Sequence, residues 1–565
     1  MNAQNDISIL RHSAAHLLAH AVKELYPSTL FTIGPSTTEG FFYDMLPEHN
    51  FKEADLPAIE HRMHEISKRN IPIVHTQISK EEARTIFAQN KFKLELIDGI
   101  PGDTVGLAMQ GDFIDLCRGG HVSSTGAICH FKLLGLSGAY WRGDKNNDAL
   151  QRISGTAFFT QKDLEAFEHI REEAAKYDHR KLGRELDLFS FQEEGVGFPF
   201  FHPKGKVVIN QLTDYIKTLL HEYEYDEIST PMMLSESLWK QSGHYDHYKE
   251  NMYFCCMDEK SYAVKPMNCP GSILVYRNRP HSYRELPMRL AEFGLVHRYE
   301  LSGVLHGLFR VRAFTQDDGH IFCTPDQIES EVLNTIQFIK TVLAKFEFND
   351  IRIYLSTRPK NSMGDEALWE KATNALSGAL TKAGCEFILQ PGEGAFYGPK
   401  IEVHMRDSLG RSWQCSTIQV DFFMPINFDL SYVSSEGTKE RPVMIHRAIY
   451  GSMERFFGVL LEHYKGKLPV WLAPVQVAIL TITDELADYA QSIYATLKKN
   501  QIRAKIDLSS DPISGKIKAA QLEQIPLMLV IGKKEAEKGC VSIRYADGKQ
   551  EFNVAIEHVI EKCKN

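Results

Sequence analysis

No apolar run in the chain approaches the roughly 18 residues that a membrane-spanning helix needs, so no membrane span is expected. The N-terminus, M-N-A-Q-N-D-I-S-I-L-R-H, lacks the charged-then-apolar order of a signal peptide and the Arg-rich composition of a transit peptide, which points to a cytoplasmic protein. The ten cysteines include no C-x-x-C pair, a usage that fits reduced thiols with one or two committed to a site. Positive charge is not in excess: the net charge of −9 excludes a histone-like or polybasic binder, although RNA needs only a local basic face. No G-x-x-x-x-G-K-[ST] occurs, so any ATP is held without a P-loop. Internal repeats and low-complexity tracts are also missing. What remains, at 565 residues and 43% hydrophobic, is an ordinary soluble composition sufficient for three or more domains, each with its own core.

The densest chemistry lies between His297 and His320, H-R-Y-E-L-S-G-V-L-H-G-L-F-R-V-R-A-F-T-Q-D-D-G-H. Two strand-like runs, L-A-E-F-G-L-V-H-R and F-R-V-R-A-F-T-Q, flank a Ser-Gly…His-Gly segment and predict a long hairpin loop. Arg298, Arg310 and Arg312 suit a polyphosphate, the Asp317–Asp318 pair suits an ammonium, and His320 suits a metal.

Residues 9–25 read as an Ala- and Leu-rich helix on which His12 and His16 share a face. Later, C-R-G-G-H sets Cys117 four residues before His121, with Lys93 and Asp115 in strand-like runs between. By ligand count these residues form a closed zinc site; equally, they are satisfied core or surface histidines, or neutral imidazoles that activate water. Spacing does not separate these readings. Residues 161–186 predict a charged connecting helix with a thin apolar stripe. In K-P-M-N-C-P-G, Cys269 sits in a rigid turn between prolines, where a small buried residue is the plain reading, and His244 reads as a loop histidine. Pro231, after the strand Y-D-E-I-S-T, limits that strand to an edge or interface. Tyr397 and Lys400 fall in a Gly-rich turn that is not a dinucleotide fingerprint. In W-Q-C-S-T-I-Q-V-D, strict alternation sets Gln414, Ser416 and Ile418 on one face and Cys415, Thr417 and Gln419 on the other. From Leu468 a β-α-β-α-β run predicts a compact α/β domain with a largely parallel sheet.

Three stretches then resemble one family. E-I-S-T-P-M-M, F-G-L-V-H-R-Y-E and G-S-M-E-R-F are similar to motifs 1, 2 and 3 of the class II aminoacyl-tRNA synthetases. K-P-M-N-C-P-G, R-V-R-A-F-T-Q-D-D-G-H-I-F-C and P-V-M-I-H-R-A-I-Y-G-S-M-E-R-F narrow the resemblance to the threonyl-tRNA synthetases of bacterial type, nearly end to end. The resemblance implies an α+β protein built on a class II antiparallel catalytic sheet. It also implies an N-terminal α+β editing domain at 1–160, a linker helix at 161–180, the catalytic domain at 181–467 and a C-terminal α/β anticodon-binding domain at 468–565. It implies a zinc held by Cys269, His320 and His446 that takes the amino and hydroxyl groups of threonine, with Asp318 on the same ammonium. Arg298 and Arg455 would clamp ATP with magnesium, Glu300 and Arg310 would place the nucleotide, and Gln316, Tyr397, Lys400, Gln414 and Gln419 would line the pocket. His244 would serve transfer to the tRNA ribose. His12, His16, Lys93, Asp115, Cys117 and His121 would hydrolyse seryl-tRNA without metal, and Glu535 and Arg544 would contact the anticodon. A homodimer is implied by motif 1.

Two departures stand out. The chain begins directly at the editing helix, so the small β-grasp domain usual before it is expected to be absent. Around D-L-S-S-D-P-I-S-G-K-I-K-A-A-Q-L-E-Q-I-P, where relatives tend to carry Arg and Asn, this chain has Ser509, Ser510, Glu523 and Gln524, with Lys516 and Lys518 as the remaining cations. That pattern predicts weakened anticodon dependence and keeps open a specialised or regulatory, RNA-binding synthetase-like paralogue as the alternative.

Overall fold

The computed structural model describes residues 6–564 apart from 38, 145 and 407–410. They form two compact units, Met1–Glu172 and Glu173–Asn565.

In the first unit the helix Ile7–Leu25 starts at Asp6, whose carboxylate accepts the Ser8 N–H. Leu10, Ala14, Leu17, Leu18, Ala21 and Val22 are fully buried against a four-stranded antiparallel sheet and the helix Leu56–Lys68. Alanines on the inward face let the helix approach the sheet closely. A three-stranded sheet of Ile73–Ser79, Thr104–Gln110 and Phe113–Leu116 stands beside it. Lys93 belongs to a helix, Lys91–Gly99, and not to the strand-like run that was expected: Asn90 caps it by accepting the N–H groups of Phe92 and Lys93.

The expected single connecting helix at 161–186 is two helices, Gln161–Lys176 and His179–Glu185, because Asp178 turns to cap the second. Beyond it lies an eight-stranded sheet. Its order is Asp226–Glu227, Met288–His297, Ala313–Cys323, Val443–Ala448, Ser412–Asp421, Lys400–Arg406, Ile351–Ser356 and Ile388–Gln390. All pairings are antiparallel except the outermost one at each edge. Ile321, Ile401, Ile418 and Ile445 face helices Pro203–Glu222, Ile328–Lys345, Glu366–Lys382 and Met453–His463, forming the main core. Alternation therefore leaves the intervening residues to the opposite face.

The C-terminal sheet has the order Ala504–Asp507, Val477–Thr481, Leu527–Ile531, Val541–Tyr545 and Gln550–Val554. Only its first three strands are parallel; the last two are antiparallel, so the largely parallel sheet predicted from sequence holds for one half. The last two strands form a hairpin around Asp547–Gly548, with Gly548 at φ +92°. Among the described residues no helix is long and apolar enough to cross a membrane.

Candidate active site

The open face of the eight-stranded sheet holds a cleft of about 350 Å³. Register explains its contents. His320 and His446 are direct cross-strand partners, His446 in turn faces Gln419, and Gln419 faces Lys400. One row of residues across four strands thus carries two imidazoles, an amide and an amine on the same face. One step along, Asp318, Ala448, Thr417 and Glu402 form the next row.

Cys269 completes a metal-sized group. It is the first residue of helix Cys269–Arg277, not part of a free turn; Pro270 has no N–H to lose at that position. The ligand atoms of Cys269, His320 and His446 lie within 4.8 Å of one another, and all three residues are buried. His446 Nε2 is 3.1 Å from Asp421 Oδ2, which leaves Nδ1 without a hydrogen-bond partner, and His320 Nε2 is likewise unpartnered. A carboxylate behind one imidazole and a free nitrogen on each ring are what a metal site requires. Burial and the neighbouring His446 hold His320 neutral. Burial also opposes a charge on His446, but the Cys269 thiol and Asp421 outweigh it and raise its pKa to about 10. Without a metal that pKa places a proton on His446, which a metal taking Nδ1 would displace; the one-sulfur, two-nitrogen donor set fits zinc with coordination left over for a ligand.

Asp317 and Asp318 separate across the strand. Asp318 faces the cleft and accepts Asn268 Nδ2–H at 3.0 Å, while Asp317 turns inward and accepts the N–H groups of Ile449, Tyr450 and Gly451. Only Asp318 is available to an ammonium. The second hairpin strand begins at Ala313, later than the F-R-V-R run suggested, so His320 sits in the strand and not after it. Of the three arginines grouped there, Arg298 and Arg310 line the cleft, whereas Arg312 ties the loop by donating to Glu300 O, Val196 O and Ser302 Oγ. Arg455 donates to Phe309 O at 3.0 Å and to Gln414 O at 2.9 Å.

Strict alternation fails at Cys415. The pairing jumps from Val403↔Ser416 to His404↔Gln414, leaving Cys415 as a bulge, and the extra residue puts Gln414 on the same wall as Thr417 and Gln419. Tyr397 donates to Gln419 Oε1 at 2.5 Å, and Lys400 Nζ is 3.0 Å from Glu402. Glu300 and Gln316 also line the cleft. His244 does not: it begins the short helix His244–Tyr248 and is fully buried, with Nδ1 2.8 Å from Ser242 Oγ and Nε2 2.8 Å from Met267 Sδ. Sequence reasoning missed Phe309, Thr417, Asn268 and Asp421; only register and long-range packing bring them in.

The first unit gathers its own cluster. His12 Nε2 is 3.2 Å from Cys117 Sγ, which is 3.0 Å from His121 Nε2, and Ser13 Oγ is 3.2 Å from His121 Nδ1. Gly119 and Gly120, at φ +102° and +84°, make the turn that returns His121 to Cys117. His16 Nδ1 lies 3.5 Å from Asp115 without a hydrogen bond. Asp115 is ion-paired to Lys93 and accepts Tyr43 O–H at 2.5 Å. Burial lowers the pKa of His12 and His16, and burial with the nearby His12 takes His121 to about 3. Burial raises Cys117. The set is three neutral imidazoles and a protonated thiol around a small space, beside an ordered Lys–Asp–Tyr group.

At the C-terminal end Lys516 is buried and donates to Thr481 O and Oγ1, so it is not a surface cation; Lys518 is exposed. Glu535 accepts Ser542 O–H and the Gly532 N–H, and Arg544 is partly buried on strand Val541–Tyr545.

Family models match in three places. Residues 253–464 match the tRNA synthetase class II core domain (G, H, P, S and T), residues 476–565 an anticodon binding domain, and residues 105–154 the threonyl and alanyl tRNA synthetase second additional domain. The chain is 52% identical over 559 residues to a threonine–tRNA ligase of Thermotoga petrophila, covering 98% of this chain and 87% of that one. It is 51% identical to that of Clostridium botulinum, with 98% and 88% covered. Among solved structures, the RNA binding domain of threonyl-tRNA synthetase from Cryptosporidium parvum is 45% identical with a TM-score of 0.67, covering 68% of this chain and 97% of that one.

Proposed function

The chain belongs to the threonine–tRNA ligase family, and from that premise we propose that the two halves of its cleft divide the activation step between ATP and threonine. The enzyme activates L-threonine with ATP to threonyl-adenylate, passes it to the 3′ end of tRNA(Thr) with release of AMP, and hydrolyses mischarged seryl-tRNA(Thr). Arg298, Arg310 and Arg455, with Glu300 and Gln414, hold the nucleotide and spread the charge of its phosphates, with magnesium sharing that charge. Asp318, fixed by Asn268, takes the threonine ammonium, and Gln316, Tyr397, Lys400 and Gln419 bound the amino acid. The threonine carboxylate oxygen then attacks the α-phosphorus, the bond to the β-phosphate oxygen breaks and pyrophosphate leaves. His244 is assigned a supporting role in transfer to the tRNA ribose, exerted through Met267, which lines the cleft.

The observation that carries this division is the cross-strand pair His320–His446, each with an unpartnered ring nitrogen and each with a ligand atom within 4.8 Å of that of Cys269, next to an arginine-lined wall. Bound there, zinc supplies Lewis-acid positions for an amine and a hydroxyl. Valine lacks the hydroxyl, and an apolar pocket separates such isosteres poorly, so this donor set provides the selectivity. Serine keeps the hydroxyl and lacks only a methyl, worth ~1–3 kcal/mol, so hydrolysis at a second site is needed. The His12, His16, Cys117 and His121 cluster with Lys93 and Asp115 performs it without metal, by neutral imidazoles that activate water. We further assign 1–160 to editing, 161–180 to the linker, 181–467 to catalysis and 468–565 to the anticodon, in a cytoplasmic homodimer.

ATP–pyrophosphate exchange with threonine, serine and valine, with zinc measured per chain, tests the reading. Threonine and serine should support exchange, valine should not, and one zinc should be found. Silence with threonine, or exchange undiminished in Cys269→Ala, overturns it.

A further inference from the structure

Outside both sites, three more side chains converge: ligand atoms of Asp178, His179 and Glu462 lie within 4.8 Å of one another. They do not form a vacant metal site, because the imidazole is spent. His179 Nδ1 is 2.8 Å from Glu462 Oε1, and His179 Nε2 accepts the Leu308 N–H at 3.1 Å. An amide can only donate, so the ring is the tautomer with hydrogen on Nδ1. Glu462 also accepts the His179 backbone N–H at 3.2 Å, and Asp178 is taken up by Arg180. His179 and Glu462 are 0% and 2% exposed, so neither contact is softened by solvent.

The bond ends on the nucleotide wall. Leu308 precedes Phe309, whose ring lies 4.1 Å from the His179 ring and whose carbonyl accepts Arg455 Nε–H at 3.0 Å. Arg455 and Glu462 are seven residues apart on helix Met453–His463 and so share a face. That helix therefore grips two consecutive loop residues, Phe309 directly through Arg455 and Leu308 through His179. Gly307, at φ +48°, has no room for a side chain: a Cβ there would sit 2.2 Å from His179 Nε2. The loop is seated on the imidazole.

We propose that His179, oriented by Glu462, is a positioning residue for activation: it fixes the Leu308–Phe309 backbone so that Phe309, Arg310 and Arg455 meet ATP together. This rests on the reading of that wall as the ATP side of the cleft.

The test is steady-state ATP–pyrophosphate exchange on the full chain. His179→Phe keeps a ring against Phe309 but removes both hydrogen bonds. It should raise KM for ATP roughly tenfold or more, the worth of an unpaired buried amide, and leave KM for threonine within about twofold. His179→Gln places an acceptor and a donor at similar separation and should restore most of the ATP affinity. Gly307→Ala perturbs the same contact from the loop side and should also raise KM for ATP; it carries the test if His179→Phe does not fold. An unchanged KM for ATP in these variants, or parallel rises for ATP and threonine, overturns the proposal. Absence of threonine-dependent exchange in the parent chain would instead sink the underlying reading.

Discussion

Asp421 is buried at the end of its strand, where its Oδ1 accepts the N–H groups of Phe423 and Met424 and its Oδ2 faces His446 Nε2. Each oxygen thus has a separate task, one holding the chain and one orienting an imidazole. Asp421→Asn should weaken zinc binding by roughly 10–100-fold, read by competition with a chelator, and raise KM for threonine in exchange more than KM for ATP. Equal effects on both substrates would mean that the carboxylate only supports the strand end. None of this was legible in V-D-F-F, because the partner residue lies 25 positions away and is brought across by register. The candidate ligands themselves were visible, since Cys269, His320 and His446 stand inside long, specific motifs.

The helix Ile7–Leu25 illustrates the element scale. Its apolar residues keep the inward face buried from Leu10 to Val22, and the four-residue spacing brings His12 and His16 to the same side. That much followed from the sequence; that Cys117 and His121 close over this side did not. Joint replacement, His12→Ala with His16→Ala, should leave threonine-dependent exchange within about twofold and let seryl-tRNA(Thr) accumulate in a charging assay run with serine. Undiminished deacylation would remove the helix from the reaction. The imidazoles also set a pH dependence. His121 falls from 6.5 to about 3 on folding, chiefly by burial, so the unfolded chain binds its proton first as pH falls. Stability from this group is complete above about pH 6.5 and is lost progressively down to about pH 3; His121 alone removes roughly 1 kcal/mol between pH 7 and 5.5. His12 and His16, lowered for the same reason, act in the same direction. Denaturant unfolding of the full chain at pH 7 and 5.5, followed by a probe in residues 1–172, checks the sign. A gain in stability on acidification would contradict it. The Ser412–Asp421 strand gives the opposite lesson: period-2 alternation separated Gln414 from Gln419, and one bulged residue reunites them.

Across the whole molecule, the composition excluded few functions, and the motifs pointed to one. At the C-terminal end the structure sharpens an expectation about RNA. Lys516 is buried on backbone carbonyls and Glu523 pairs with Lys204 and Lys505, so of the cations counted there only Lys518 remains exposed. Replacing the threonine anticodon should therefore lower kcat/KM for aminoacylation by no more than roughly tenfold, about the worth of one base contact. A loss as large as that of a related threonine–tRNA ligase assayed in parallel would refute weakened dependence. The sequence by itself determined the residue types: a thiol, imidazoles, arginines and carboxylates in specific contexts, and helices and strands whose periods are local properties of the chain. Tertiary structure alone decided which of them share a wall. Cross-strand register set His320 against His446, a bulge turned Gln414, alternation sent Asp317 inward, and buried lysines were withdrawn from the surface. The physical reason is that register, bulges and burial depend on partners far away along the chain, which no local period encodes.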